Sequence, residues 1–159
     1  MQPPVKAVFF DIGGTLRVTR QGEPRDPLKI RQMMTMLGAK GSVEAFMQYV
    51  HQGEKRYRKW CKPNFVELGE ADLLTRFLLT DYPAEFVRSN AVTLNQLWRE
   101  SRHKYVLPDM ANTMRELAAR GYKLGLISNT TSSVEGYRIL EEQGLTGLFS
   151  AVVLSAEFG

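Results

Sequence analysis

Two polar residues of this chain directly follow apolar segments and carry oxygen atoms suited to chemistry. Asp11 follows the apolar residues 8–10 and precedes the Gly-Gly-Thr sequence at 13–15, and Ser128 follows the apolar residues 124–127. A carboxylate can attack an electrophile or bind a cation, and a hydroxyl can donate a hydrogen bond to an anionic group. These two residues are therefore the first candidates for a reactive site.

The segments that end at Asp11 and Ser128 predict two buried strands of a parallel sheet. Each segment is continuously apolar, without the alternation that is typical of a strand with one solvated face. Open α/β sheets place their chemistry at the carboxyl ends of such strands. We therefore expect Asp11 to lie near the polar sequence 128–130.

Between these strands, residues 26–107 have helical periodicity. The pattern predicts four amphipathic helices, which would form a small bundle. The first is capped by Asp26 and ended by Gly38, and the second starts near Ser42. The third carries residues 73–78 on one face, and the fourth runs from about Pro83 to Tyr105. The predicted organisation is a helical cap at 25–107 inserted into an α/β core at 1–24 and 108–159.

A small hairpin is expected at residues 16–24, with its turn at 21–24. Arg17 and Arg20 lie on this segment. They could contact an anionic substrate, or they could be solvated arginines on a surface flap.

The chain returns to alternating helix and strand after Pro108. Asp109 is expected to cap a helix that Gly121 ends, and Ser132 or Ser133 is expected to cap the next helix. The inward side chains predicted for that next helix are Val134, Tyr137 and Leu140. A third strand is predicted at 151–155.

Composition narrows the possible classes of protein. The 159 residues carry a net charge of +4 and are 43% hydrophobic, which suits one ordinary core and an anionic partner. No apolar stretch approaches the roughly 20 residues that span a bilayer. The single cysteine, Cys61, excludes an internal disulfide framework. We therefore expect a cytoplasmic protein without a membrane partner.

Nucleic-acid and zinc chemistry are disfavoured by the spacing of the relevant residues. The basic run at 55–62 lacks an accompanying glycine-rich or aromatic binding pattern, so a solvated helix face is the favoured interpretation. His51 and His103 each lack a second ligand at zinc-binding spacing. We expect neither a nucleic-acid partner nor a zinc site.

The strand followed by D-x-x-G-T-L at residues 11–16 resembles motif one of the haloacid dehalogenase superfamily, and Ser128 resembles its motif two. Most members of that family are magnesium-dependent phosphatases, and many carry a helical cap inserted after the first strand. The resemblance implies that Asp11 is both the nucleophile and a Mg²⁺ ligand, and that the Gly13 carbonyl is a second ligand. It further implies phosphoryl contacts from Thr15, Ser128 and the Asn129 amide. Gly14 and Arg17 are further candidates for substrate binding.

The sequence departs from the family pattern at two places. Gly13 stands where most family phosphatases carry the Asp that serves as general acid and base, and loss of such a group typically costs about 10²- to 10⁴-fold in rate. The sequence also stops before the lysine of motif three and the acids of motif four, so we expect a fragment. Strand one would then lie at an exposed sheet edge, where self-association is possible. A 2-haloacid dehalogenase and a non-catalytic phosphoryl-binding module remain as alternatives.

Overall fold

The computed structural model of the chain describes residues 5–20 and 22–158. Three parallel strands form the central sheet: β1 (Ala7–Phe10), β4 (Lys123–Ser128) and β5 (Phe149–Leu154). Their spatial order is β1-β4-β5, and Phe10 pairs with Leu126 in the parallel register. The predicted α/β class with a parallel sheet is confirmed, and β1 lies at an edge of this sheet as expected.

Helices α6 (Met110–Ala119) and α7 (Glu135–Glu142) contribute to the core of the sheet region. Met114, Leu126, Ile139 and Leu154 are buried together there. The prediction that the strand before Asp11 is buried is wrong, because β1 lies at the sheet edge, has no buried residue and leaves Phe9 58% exposed. Ile127 and Val153 likewise keep 50% and 38% of their surface exposed. Self-association through this apolar sheet region stays a prediction.

The insert between β1 and β4 is helical, as the periodicity predicted. It contains α1 (Pro27–Leu37), α2 (Val43–Asn64), α3 (Glu70–Leu73), α4 (Ala84–Ser89) and α5 (Ala91–Glu100). A π-helical segment, Leu74–Leu78, continues α3. The insert has its own hydrophobic cluster, separate from that of the sheet, in which Ile30, Val50 and Leu94 are fully buried. The division into a cap and a core stays a prediction.

The predicted ends of α1 and the start of α2 are confirmed. The Asp26 side chain accepts a hydrogen bond from the Leu28 amide at 2.8 Å. Gly38 ends α1 in the left-handed conformation with φ of 63°, which glycine adopts without steric cost. The Ser42 side chain caps α2 through the Ala45 amide at 3.1 Å.

The prediction of a hairpin within residues 16–24 is wrong, because the strand there pairs with a distant segment. Strand β2 (Arg17–Thr19) pairs antiparallel with β3 (Lys104–Val106), which lies at the far end of the helical insert. Local turn residues suggested a short-range pairing, whereas the actual pairing joins segments that are distant along the chain. Part of the predicted turn, Gln21, lies outside the described residues.

The prediction that the fourth helix is one continuous element is also wrong. It is interrupted at Asn90, where φ is −114°, and α5 ends at Glu100, so Tyr105 belongs to β3. Val87, Leu94 and Trp98 keep the predicted apolar spacing because α4 and α5 pack in the same cluster. Periodicity therefore identified the buried side chains but not the break.

Several details of the carboxyl-terminal half differ from the prediction. Asp109 occupies the N-cap position of α6, but its side chain makes no capping hydrogen bond. Helix α7 starts after Val134 without a side-chain cap, so neither predicted serine caps it. With this start, Ile139 and Leu140 face the core, while Tyr137 remains 44% exposed. Strand β5 starts at Phe149 and ends at Leu154, two residues earlier and one residue earlier than predicted.

Candidate active site

The carboxylate of Asp11 and the hydroxyl of Ser128 meet at one edge of the sheet. Asp11 is the first residue after β1, and Ser128 is the last residue of the neighbouring strand β4. The Ser128 Oγ atom donates a hydrogen bond to Asp11 Oδ1 at 2.9 Å, although the residues are 117 positions apart in sequence. Ser128 is buried and Asp11 is exposed. The carboxylate is therefore held by a buried hydroxyl and remains accessible to solvent.

The Asp11 loop, residues 11–16, is held by its own backbone. The carbonyl of buried Ile12 accepts hydrogen bonds from the Leu16 and Arg17 amides, both at 3.0 Å. Gly14 adopts a φ of +78°, which only glycine tolerates readily. This turn leaves Gly13 and Thr15 exposed beside Asp11.

Asn129 is held by a residue that the sequence did not single out. Ser155 directly follows β5, and its hydroxyl donates to Asn129 Oδ1 at 2.8 Å. The same hydroxyl accepts a hydrogen bond from the Thr130 amide at 2.8 Å. The sequence could have indicated Ser155, because it is a polar residue at the end of the third predicted strand and all three parallel strands end at the same edge of the sheet.

The segment that we call the Ser128 loop, residues 128–134, is fastened by side chains of the insert. The buried carboxylate of Glu70 accepts hydrogen bonds from the Ser133 amide at 2.6 Å and the Ser133 hydroxyl at 3.0 Å. The Asn95 side chain donates to the Thr131 carbonyl at 2.9 Å. No local motif marks Glu70 or Asn95, because their roles arise only when the insert packs against the loop.

Glu135, the first residue of α7, forms ion pairs with three cationic side chains, which come from β2, β3 and the insert. Its Oε1 atom lies 2.6 Å from Arg17 and 3.2 Å from Lys104, and its other oxygen pairs with Arg99. The Arg17 side chain is only 16% exposed, so it is not a solvated arginine, whereas Arg20 is 60% exposed. The guanidinium of Arg17 is thus already engaged by a protein carboxylate, and that of Arg20 lies 3.3 Å from Glu23.

The environment changes the pKa values of this cluster. Burial lowers the pKa of the Lys104 ammonium to about 8, despite the opposing attraction of Glu135. Burial alone would raise the pKa of the Glu135 carboxyl. The hydrogen bond from Arg17 and the charges of Arg99 and Lys104 outweigh that effect and hold this pKa well below its usual range.

The oxygen atoms at the Asp11 loop suit a hard cation. Mg²⁺ binds one or two carboxylates and keeps several waters, so Asp11 and the Gly13 carbonyl provide a partial ligand set of the right kind. The Gly13 carbonyl accepts no backbone hydrogen bond among the described residues. Over residues 5–20 and 22–158, no group of three or more His, Cys, Asp or Glu side chains is arranged to hold a metal.

A cleft of about 380 Å³ lies between the insert and the sheet edge. Asn129 and Thr130 line it from the sheet side, and Tyr57 and Trp98 line it from the insert. Asp11 lies outside the lining but is hydrogen-bonded to Ser128, the residue directly before Asn129.

A parallel sheet with a carboxylate at its carboxyl edge and a helical insert after its first strand defines a class of α/β protein. The model of the family described as haloacid dehalogenase-like hydrolase matches residues 5–159. The chain therefore belongs to this family of hydrolases, as the motifs at Asp11 and Ser128 predicted.

The chain is also similar to individual proteins and solved structures. The chain is 32% identical over 75 residues to a phosphoglycolate phosphatase of Aliivibrio fischeri, which covers 46% of the chain and 33% of that relative. A magnesium-bound HAD-hydrolase of Bacillus subtilis is 18% identical, with a TM-score of 0.53, covering 98% of the chain and 65% of that structure. A predicted phosphoglycolate phosphatase of Haemophilus somnus is 21% identical, with a TM-score of 0.48 and coverage of 98% and 64%. The chain thus spans a third of the curated relative and under two thirds of these structures.

None of the helices in the described part of the chain is both long and apolar enough to cross a bilayer.

The catalytic and binding roles of the candidate site residues stay predictions. These residues are Asp11, Gly13, Gly14, Thr15, Arg17, Ser128 and Asn129.

Proposed function

We propose that the complete protein is a cytoplasmic, magnesium-dependent phosphatase that acts on a small phosphorylated metabolite. Membership of the hydrolase family and the similarity to a phosphoglycolate phosphatase support this proposal. Its main structural support is the hydrogen bond between Ser128 Oγ and Asp11 Oδ1 at 2.9 Å. A phosphoryl group bonded to Asp11 would lie within reach of that hydroxyl.

In the proposed reaction, a carboxylate oxygen of Asp11 attacks the phosphorus atom of a phosphate monoester. The bond from phosphorus to the ester oxygen breaks, which leaves an aspartyl-phosphate on Asp11 and releases an alkoxide that takes a proton. Water then attacks the same phosphorus atom, and inorganic phosphate leaves as the Asp11 carboxylate is restored. Ser128 Oγ and the Asn129 amide would donate hydrogen bonds to the transferring group.

Asp11 and the Gly13 carbonyl would hold a Mg²⁺ ion at the loop. Such an ion reduces the repulsion between an attacking carboxylate and a phosphate dianion. In the resembled family, further carboxylates and a lysine complete this site.

The leaving oxygen lacks an acid at residue 13, because glycine carries no side chain. Its proton would come from solvent, which favours substrates whose leaving alcohol has a low pKa. The same feature supports a second candidate, a 2-haloacid dehalogenase, since a departing halide needs no proton. Halide release from a 2-haloacid in the presence of a chelator would support that candidate.

The test of the proposal is phosphate release by the complete protein from a panel of phosphate monoesters, with Mg²⁺ and with a chelator. We expect magnesium-dependent turnover that Asp11→Asn abolishes, because an amide is a far weaker nucleophile than a carboxylate. Asp109→Asn is the matched control, since this exposed residue makes no side-chain cap at α6. Turnover that persists in Asp11→Asn contradicts the proposal, and binding without turnover favours the non-catalytic module.

A further inference from the structure

The cleft between the insert and the sheet edge carries an excess of positive charge. Its lining contains six cationic side chains and only two carboxylates, Glu54 and Glu67. The cations come from the β2–β3 pair and from the insert: Arg17, Arg25, Arg58, Arg99, Arg102 and Lys104. A cleft lined mainly by one sign of charge concentrates its potential and attracts ligands of the opposite sign.

Half of these cations are in direct contact with a carboxylate of the protein, although that single carboxylate balances only one of their three charges. Arg17, Arg99 and Lys104 surround Glu135, as described above. The other half, Arg25, Arg58 and Arg102, have much weaker internal compensation. The cations without a close carboxylate contact therefore lie on the insert side of the cleft.

Glu54 is the acid closest to this second group, and its oxygens are already engaged. Oε1 accepts a hydrogen bond from Trp98 Nε1 at 2.8 Å, and Oε2 bonds to His51 Nδ1 at 2.8 Å. Arg25 and Arg102 each lie 3.6 Å from Oε1, which is beyond ordinary hydrogen-bond distance. Within the described part of the chain, Arg58 has no carboxylate within 4.0 Å.

Arg25 carries an unsatisfied donor beside the same carboxylate, since its Nη2 atom is the one that lies 3.6 Å from Glu54 Oε1. Its side chain is only 8% exposed, and its guanidinium stacks on the Trp98 ring with 3.6 Å between the guanidinium carbon and the ring centre. Its Nη1 atom donates to the Trp98 carbonyl and the Ser101 hydroxyl, both at 2.7 Å. Its buried Nη2 atom has no hydrogen-bond acceptor among the described residues. Buried donors are rarely left unpaired, because the loss costs about 1–3 kcal/mol.

We propose that this cleft binds the leaving-group part of the substrate, and that this part carries an anionic group of its own. Its chemical class is a carboxylate or a second phosphate, which Arg58 and Arg102 would pair with while Arg25 and Trp98 form the wall. The inference rests on the proposed function for its placement of the transferring phosphoryl group beside Ser128 and Asn129. The substrate is thus a phosphate monoester with two separated anionic groups.

Binding of three matched probes tests this inference without depending on turnover. Glycerol 3-phosphate has one anionic group, 3-phosphoglycerate adds a carboxylate, and 1,3-propanediol bisphosphate adds a second phosphate. Dissociation constants would be measured by titration calorimetry with the 159-residue chain in magnesium-containing buffer. We expect one or both of the doubly anionic probes to bind about tenfold or more tightly than glycerol 3-phosphate, as expected for charge-assisted hydrogen bonds.

The double substitution Arg58→Gln with Arg102→Gln should remove this preference and leave the affinity for glycerol 3-phosphate within about twofold. Both side chains are at least partly exposed, so the fold should tolerate the change. Lys59→Gln removes one positive charge from the same helix outside the cleft lining, and it should preserve the preference. The doubly anionic probe that binds more tightly distinguishes a carboxylate from a second phosphate.

Equal affinities for the three probes, a preference that survives the double substitution, or no binding of any probe would each overturn the inference. Phosphate release by the complete protein is measured separately, so that failure of the proposed function can be distinguished from failure of this inference. Selective binding of a doubly anionic probe without phosphate release supports the anionic subsite and contradicts the phosphatase. Phosphate release without such selective binding supports the phosphatase and contradicts the anionic subsite.

Discussion

The two loops that form the candidate site are held in place by different means. Backbone hydrogen bonds to the Ile12 carbonyl close the Asp11 loop within a few residues. The Ser128 loop instead depends on side chains from elsewhere, with Glu70 and Asn95 of the insert binding Ser133 and Thr131. The position of the insert is therefore coupled directly to the Ser128 loop, while the Asp11 loop keeps its shape through local geometry.

The Asp11 loop should accept a new catalytic group without rearrangement. A Cβ atom added at Gly13 meets no atom within 4 Å, and the Gly13 backbone does not lie in the left-handed region. Gly13→Asp should therefore supply the missing acid and raise phosphatase turnover by about 10²- to 10⁴-fold. Initial rates of phosphate release from an alkyl phosphate would measure this effect.

Gly147→Asp is the matched control for that substitution, because Gly147 has the same open surroundings and lies in a short 3-10 turn outside the site. An unchanged rate in Gly13→Asp would contradict the assignment of residue 13 to proton transfer. It would also favour the dehalogenase candidate, in which no leaving oxygen needs a proton.

The start of α7, immediately after the Ser128 loop, should be sensitive to loss of charge. Glu135 is 11% exposed and compensates Arg17, Arg99 and Lys104, so Glu135→Gln leaves three cations without their carboxylate. We expect the free energy of unfolding in urea to fall by about 3–5 kcal/mol, as for a broken buried ion pair. Glu142→Gln, which affects a 53% exposed partner of Arg138, should cost less than about 1 kcal/mol.

A pH titration of stability provides a second measurement at Glu135. The pKa of its carboxyl is lowered in the folded state, so its contribution is complete above the unfolded-state pKa of about 4.3. That contribution is lost as the pH falls towards the lower folded-state pKa. Stability of the unsubstituted protein should thus fall more steeply in acid than that of Glu135→Gln, and parallel curves would disprove the role of this cluster.

The smallest expected effect concerns the contact between Glu70 and Ser133. Glu70→Ala should reduce the free energy of unfolding by about 1.5–3 kcal/mol, because it removes a buried charged acceptor. The Ser133 amide should exchange its hydrogen faster, while Glu70→Gln restores part of the protection. Glu85→Ala, at an exposed position in the first turn of α4, serves as the control. Unchanged exchange at Ser133 would mean that the insert does not hold this loop.

Much of the fold was predictable because short-range rules govern it. The side chains of Asp26 and Ser42 and the conformation of Gly38 set helix ends within a few residues. Apolar runs likewise identified β1 and β4, and the parallel arrangement brought Asp11 to Ser128. The fourth predicted helix failed at Asn90 because spacing of apolar residues continues across a break when both helices face the same core.

The sequence by itself determined the candidate carboxylate of Asp11, the strand that ends beside it and the helical character of the insert, since each depends on neighbouring residues. Only the tertiary structure decided that β2 pairs with β3, that Glu135 gathers three cations, and that Glu70, Asn95 and Ser155 hold the Ser128 loop. These contacts join residues dozens of positions apart. Their partners are selected by packing and by the need to satisfy buried polar groups, which no local pattern records.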